Sequence, residues 1–149
     1  MMGLEAYRNR RRFSKTPEPE GMVAKKIRHR FVVHRHQARH LHYDFRLEMD
    51  GVLKSWAVPK GAPLEQGIKR LAVQVEDHPV EYIGFSGDIP EGQYGAGTVE
   101  IWDSGSFEII NKQPDYLEFV LYGNKLSGNY VLIHTDKRNW LLIKRKPNK

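Results

Sequence analysis

The stretch Leu41-His-Tyr-Asp-Phe-Arg-Leu-Glu-Met49 alternates apolar and ionic residues without a break, and Asp50-Gly51 follows at once. A period of two places Leu41, Tyr43, Phe45, Leu47 and Met49 on one strand face and His42, Asp44, Arg46 and Glu48 on the other. Asp-Gly suits a two-residue type I′ hairpin, because the turn needs positive φ and glycine accepts it freely. That turn sets the register with the next segment. Phe45 then meets Trp56 and Tyr43 meets Val58 on the apolar face, while Arg46 meets Ser55 and Asp44 meets Ala57 on the other. Small residues opposite the ionic row leave room for a ligand.

A lone hairpin is marginal in water, and from Phe31 onward the chain supplies more strands of the same kind. Short alternating segments broken by Gly, Pro, Asn and Asp predict strands at 30–36, 41–49, 52–58, 70–76, 98–103, 106–110, 117–122, 129–134 and 140–145. So many short strands limit their exposed edges best by closing up. The expected fold is therefore mainly β: a single-domain, closed or nearly closed antiparallel β-barrel with a few short helices, one of them near Leu64–Lys69. Its length of 149 residues suits one such core rather than two. Residues 1–30 read as a basic, extended N-terminal arm, since Pro17 and Pro19 disfavour both helix and sheet there, and residues 31–149 read as the barrel domain. Within the arm, Tyr7 and Phe13 are the side chains able to pack back onto the body.

The chain has no cysteine, which excludes thiolate ligands, a cysteine nucleophile and disulfides, so any metal must be held by nitrogen and oxygen. Its formal net charge of +6 and pI near 9.5 favour polyanionic partners, although the same charge serves solubility equally well. No apolar run reaches bilayer length and the first twenty residues contain no signal-like core, which makes the cytoplasm the default location.

His36, His42 and Asp44 form the pattern H-x5-H-x-D. Two imidazoles and a carboxylate suit Mn, Fe, Zn or a similar ion while leaving positions open for water and substrate. His36 ends the preceding strand, and a turn through Gln37-Ala38-Arg39 can return it beside His42. Arg46 lies next along the same face, where its guanidinium fork can grip a phosphate. An ordinary solvated strand face carrying clustered histidines has the same appearance. His29, His34, His40 and His134 are read as surface residues or as supports for others. Lys60 in the Pro59 turn, Arg70 at a strand start and His78 in Asp77-His78-Pro79 stand at strand ends, within reach of a shared pocket. Glu91-Gly-Gln-Tyr-Gly-Ala-Gly97 is rich in glycine but lacks the strand-loop-helix setting of a nucleotide-binding loop, and reads as a structural turn.

The stretches Phe31–Gly61 (FVVHRHQARHLHYDFRLEMDGVLKSWAVPKG), Arg70–Pro79 (RLAVQVEDHP) and Ile89–Val99 (IPEGQYGAGTV) closely resemble the 3′-phosphoesterase domain of bacterial DNA ligase D and its stand-alone archaeal and bacterial relatives. The similarity runs from about Tyr7 through the last strands. It implies a barrel-like β fold and a manganese-dependent hydrolase that heals DNA 3′ ends in non-homologous end joining. Such an enzyme removes a 3′-terminal ribonucleotide by phosphodiester cleavage and a 3′-phosphate by phosphomonoester cleavage, leaving a 3′-hydroxyl. The resemblance places the metal on His36, His42 and Asp44, and the phosphate on Arg46 and His78. Lys60, Arg70 and Tyr82 become further active-site residues, and Arg11 and Glu18 substrate-binding residues of the arm. The implied partners are DNA or RNA–DNA 3′ ends of primer-template form, with a separate ligase and polymerase and no membrane. Arg12 stands where the family commonly carries an acidic residue, so phosphomonoester cleavage is expected to outlast ribonucleotide removal. The competing readings are a non-catalytic module that binds nucleic-acid 3′ ends, and a small-molecule metalloenzyme with its site in a barrel mouth.

Overall fold

The structure, a computed structural model, describes residues 3–21 and 28–147. Residues 1–2, 22–27, 148 and 149, which fall within the expected arm and barrel segments, lie outside the described residues. Among the described residues nine strands run in chain order: β1 (Arg30–Gln37), β2 (Leu41–Met49), β3 (Val52–Val58), β4 (Lys69–His78), β5 (Gly87–Ile89), β6 (Gly97–Gln113), β7 (Tyr116–Gly123), β8 (Ser127–Asp136) and β9 (Asn139–Lys144). All ladders are antiparallel. Their order β1-β2-β3-β4-β9-β8-β7-β6 returns through a β1–β6 pairing to its start, closing an eight-stranded barrel, and β5 adds to the free side of β6.

The β2–β3 hairpin has the expected register, with Phe45 opposite Trp56, Arg46 opposite Ser55 and Asp44 opposite Ala57. Asp50 and Gly51 take φ of 56° and 79°, as a type I′ turn requires. The two strands expected at 98–103 and 106–110 are one continuous β6. It pairs with β1 over its first half and with β7 over its second, so it turns the barrel corner instead of breaking. Gly105 sits at that corner, where a Cβ would stand 2.2 Å from the Tyr122 carbonyl oxygen; close approach to β7 is what this glycine serves.

Three elements were not foreseen: helix α1 (Glu5–Asn9), a 3₁₀ turn (Val80–Gly84) and β5. The helix expected near Leu64–Lys69 does not form; Gly67 has φ +82°, which no right-handed helix tolerates. No helix among the described residues is long and apolar enough to cross a membrane.

Apolar side chains gather in two clusters on opposite sides of the β1–β3 wall. Phe31, Val33, Phe45, Leu47, Trp56 and Val58 join Phe107, Phe119, Tyr130 and Leu142 in the barrel interior. Val32 and Leu53, of opposite parity, join Tyr7, Tyr82, Phe85, Ile89 and Val99 on the outside, with Phe13 against them. The segment around α1 and the 3₁₀ turn therefore lie over the outer wall, and Tyr7 is wholly buried there. This cover is why β2, which alternates in sequence, is buried on both faces from Asp44 to Met49.

Candidate metal and phosphate site

Because Phe45 and Leu47 point inward, Asp44 and Arg46 must point outward, into the space between barrel wall and arm. The site therefore sits on the outer wall, not in a barrel mouth, since the interior is filled by the larger core. A cavity of about 240 Å³ opens there, lined by Arg11, Glu18, His36, His42, Asp44, Arg46, Ala57, Glu76, His78, Tyr82, Tyr94 and Gly95 among others. Ala57 and Val75 form its small apolar floor, which is the room that the register of β3 leaves opposite the ionic row.

His36 and His42 are paired across β1 and β2, with ring centroids 4.8 Å apart. Each ring is held through its outer nitrogen: His36 Nε2 donates to the Gly95 carbonyl at 2.8 Å and His42 Nδ1 to the His40 carbonyl at 3.2 Å. The remaining nitrogens face Asp44, with His36 Nδ1 3.5 Å from Oδ2 and His42 Nε2 3.3 Å from Oδ1. One donor atom from each of the three residues lies within 4.8 Å of the other two. Rings pinned by carbonyls with their second nitrogens turned toward a shared carboxylate are what a metal site of nitrogen and oxygen ligands needs.

Burial alone would raise the Asp44 carboxyl, but the Arg46 guanidinium and the two imidazoles outweigh it and hold the group well below the ordinary carboxylate range. A hydrogen bond to the Asp44 carboxylate raises His42 above an ordinary imidazole. Charge supports the metal reading further. With neutral histidines the cavity carries the two guanidiniums of Arg11 and Arg46 against the three carboxylates of Glu18, Asp44 and Glu76. That excess of negative charge repels a phosphate, and a divalent cation between His36, His42 and Asp44 reverses it.

Arg46 is fixed from three sides. Nε donates to His34 Nδ1 at 3.1 Å, Nη1 donates to Ser55 Oγ at 2.9 Å, and Nη2 lies 3.4 Å from Asp44 Oδ2. One N–H on each η nitrogen is left to point at an anion. His34, wholly buried, donates from Nε2 to the Phe85 carbonyl; burial first and then Arg46 push its pKa down to about 3, so it stays a neutral support for Arg46.

His78 reaches the site through a bulge: Ser55 pairs with Val75 and Leu53 with His78, so three residues of β4 span two of β3. The extra residue turns His78 to the outer face alongside Val75. Its Nδ1 donates to the Glu76 carbonyl, and Arg11 Nη2 lies 3.4 Å from Nε2. Burial, then Arg46 and Arg11, depress its pKa well below that of free imidazole. Tyr82 stacks edge-on against His78 and His34 and donates to Glu18 Oε2 at 2.7 Å; burial raises its phenol, which keeps the proton. Glu18 also accepts from Arg11 Nε at 2.9 Å and Thr16 Oγ1 at 2.9 Å, and Tyr7 donates to the Pro19 carbonyl.

The structure thus brings His36, His42, Asp44, Arg46, His78, Tyr82, Arg11 and Glu18 to one cavity. Lys60 and Arg70 do not line it. Lys60 is exposed in the turn after β3, and Arg70 shares strand parity with Ala72, which belongs to the barrel interior. Arg12 is exposed and outside the cavity. Two lining residues with polar side chains, Glu76 and Tyr94, are absent from the site that the sequence predicts. Glu76 gathers Arg10 and Arg11 at 3.1 and 3.2 Å, and Tyr94 stands at the rim. The glycine-rich loop did signal Tyr94: its Gly95 carbonyl orients His36, and Gly97 packs so closely that a Cβ would lie 2.2 Å from the Gln37 carbonyl oxygen.

Residues 34–134 match the family model described as the DNA ligase D 3′-phosphoesterase domain. Among similar curated proteins, a multifunctional non-homologous end joining protein LigD of Pseudomonas aeruginosa is 48% identical over 155 residues, covering 96% of the chain and 18% of the relative. The protein of the same name in Mycolicibacterium smegmatis is 47% identical over 162 residues, covering 98% and 21%. A multifunctional non-homologous end joining DNA repair protein LigD of Mycobacterium tuberculosis is 48% identical over 153 residues, covering 98% and 20%. The chain spans about a fifth of the length of these relatives.

Proposed function

Because the chain belongs to the 3′-phosphoesterase domain family of DNA ligase D, we propose that it is a metal-dependent phosphoesterase that processes DNA 3′ ends in the cytoplasm. Its substrates are a 3′-phosphate and, less efficiently, a 3′-terminal ribonucleotide on a primer-template; its product is the 3′-hydroxyl that a ligase and polymerase use in end joining. The observation that carries the proposal is the convergence of His36, His42 and Asp44 beside the free η N–H groups of Arg46, in a cavity that needs a divalent cation before it can attract an anion.

His36 Nδ1, His42 Nε2 and one oxygen of Asp44 would hold the ion, manganese by preference, and when bound it supplies positive charge at the phosphoryl oxygens. Arg46, held rigid by His34, Ser55 and Asp44, stabilises charge that grows on those oxygens in the transition state without having to reorganise. His78 is neutral with its lone pair at Nε2, so it is ready to accept a proton there; giving one to the departing oxygen requires that the arriving phosphate first recharge it. Tyr82 and Glu18 hold Arg11 against His78 and shut the rear of the cavity to water. Lys60, three residues beyond Ala57, is left to the polynucleotide outside the phosphate pocket, and no contact follows for Arg70.

The test is incubation of the protein with a primer-template ending in a 3′-phosphate or in one 3′-ribonucleotide, with and without manganese. Metal-dependent release of phosphate is the expected result, lost in His42→Ala. Tight binding with no product from either end would leave the non-catalytic end-binding reading standing. Arg12→Asp is expected to raise ribonucleotide removal relative to phosphate release.

A further inference from the structure

Among the described residues lining the cavity Tyr94 is the exposed aromatic, at 45% of the residue, whereas Tyr82 at the back is buried. Its hydroxyl is tethered, since Arg10 Nη1 donates to it at 2.8 Å while the same nitrogen lies 3.1 Å from Glu76. The Arg10 and Arg11 guanidiniums lie over the ring at 5.1 and 5.3 Å from its centroid, so cation–π contact helps to fix the ring while nearly half of the residue stays exposed. Next in sequence, Gly95 orients His36 through its carbonyl. The ring therefore stands at a fixed offset from the metal-facing imidazole, on a loop whose glycines put no bulk beside it.

A pocket whose charged walls suit a phosphate, with one tethered and half-exposed aromatic ring at its rim, matches a nucleotide whose phosphate goes in and whose base stays out. We propose that Tyr94 is the platform on which the base of the 3′-terminal nucleotide stacks, so that the site recognises a nucleoside 3′-phosphate and not the phosphate alone. This rests on the phosphoesterase reading for the phosphate position. Every base offers a π-face, so the contact carries no sequence preference. Arg10, held by Glu76, adds a cation beside the stacked pair.

The inference is tested by binding with manganese present, to 3′ ends that carry a methylenephosphonate in place of the phosphate and so cannot be turned over. Dissociation constants are measured by fluorescence anisotropy for single-stranded oligonucleotides that carry the 3′-methylenephosphonate on either a normal or an abasic residue. The unsubstituted protein is expected to prefer the base-bearing end by about tenfold, the size typical of one base on one aromatic. Tyr94→Ala should abolish that preference, while Tyr94→Phe and Tyr94→Trp, which keep the ring and lose the hydroxyl tether, should retain most of it. A preference that survives in Tyr94→Ala overturns the proposal, as does its absence in the unsubstituted protein. Loss in Tyr94→Phe as complete as in Tyr94→Ala also overturns it, because the hydroxyl would then be the working part. Absence of hydrolysis at any 3′ end with manganese would sink the phosphoesterase reading and leave the binding comparison intact.

Discussion

Arg46 Nε donates to His34 Nδ1 at 3.1 Å, so the guanidinium that faces the cavity is aimed by a histidine that never reaches it. The bond needs a neutral His34 with its proton on Nε2, and the Phe85 carbonyl fixes that tautomer. His34→Leu keeps bulk but strands both Arg46 Nε and the Phe85 carbonyl in a buried setting, at a cost of about 1–3 kcal/mol for each group left unpaired. The expected outcome is a less stable protein whose kcat for 3′-phosphate release falls about 10–100-fold, the scale of a misplaced positioning group. Steady-state kinetics with urea titration check it; an unchanged kcat at full folding would show that Arg46 needs no such aim.

Metal binding should appear as stability. A ligand that binds only the folded state, at a hundredfold its Kd, adds about 2.7 kcal/mol, or about 5–10 °C for a domain of this size. Thermal scans with and without manganese are expected to show that shift in the unsubstituted protein. His42→Ala should abolish the shift yet leave the metal-free melting point nearly where it was, because His42 is only partly buried and lies at the cavity edge. An equal shift in the variant would remove His42 from the ligand set.

Most of this geometry was legible in the sequence wherever it follows from strand parity. Alternation through 41–49 and the Asp50-Gly51 turn are sufficient to place Asp44 and Arg46 together opposite Ala57 and Ser55, since side-chain direction in a ladder is set by counting. Parity fails where the ladder does: the β4 bulge that turns His78 outward is invisible in alternation, and the position of Arg70 at a strand start says nothing of the face its side chain takes. That the ionic face is covered was equally hidden, because Tyr7, Arg11 and Glu18 find their partners more than sixty residues away, at His78, Glu76 and Tyr82 respectively. Local pattern carries no information about contacts of that span.

The arm is accordingly expected to be part of the fold. Glu18, 4% exposed, is the common acceptor for Arg11, Thr16 and Tyr82. Removing one partner of a buried pair leaves the other charge unpaired at about 3–5 kcal/mol. Glu18→Ala should therefore lose stability on that scale and release of 3′-phosphate with it, because Arg11 no longer has an anchor beside His78. Equilibrium urea unfolding checks the first part. A loss below about 1 kcal/mol would mean that Arg11 finds sufficient charge in Glu76.

Acid should destabilise the protein through His78. Burial, reinforced by Arg46 and Arg11, lowers its pKa in the folded state, so the unfolded chain takes up the proton first as pH falls. For a group depressed in this way the contribution is complete above the ordinary imidazole pKa, about 6.5, and is lost below it. Each pH unit below that point costs up to about 1.4 kcal/mol for as long as the folded form refuses the proton. His78→Gln cannot titrate, so its unfolding free energy should fall less than that of the unsubstituted protein between about pH 7.5 and pH 5. Metal-free urea titrations at both values measure the difference. Parallel losses in the two proteins would show that His78 is protonated in the folded state, and that its Nε2 begins the reaction carrying a proton to give.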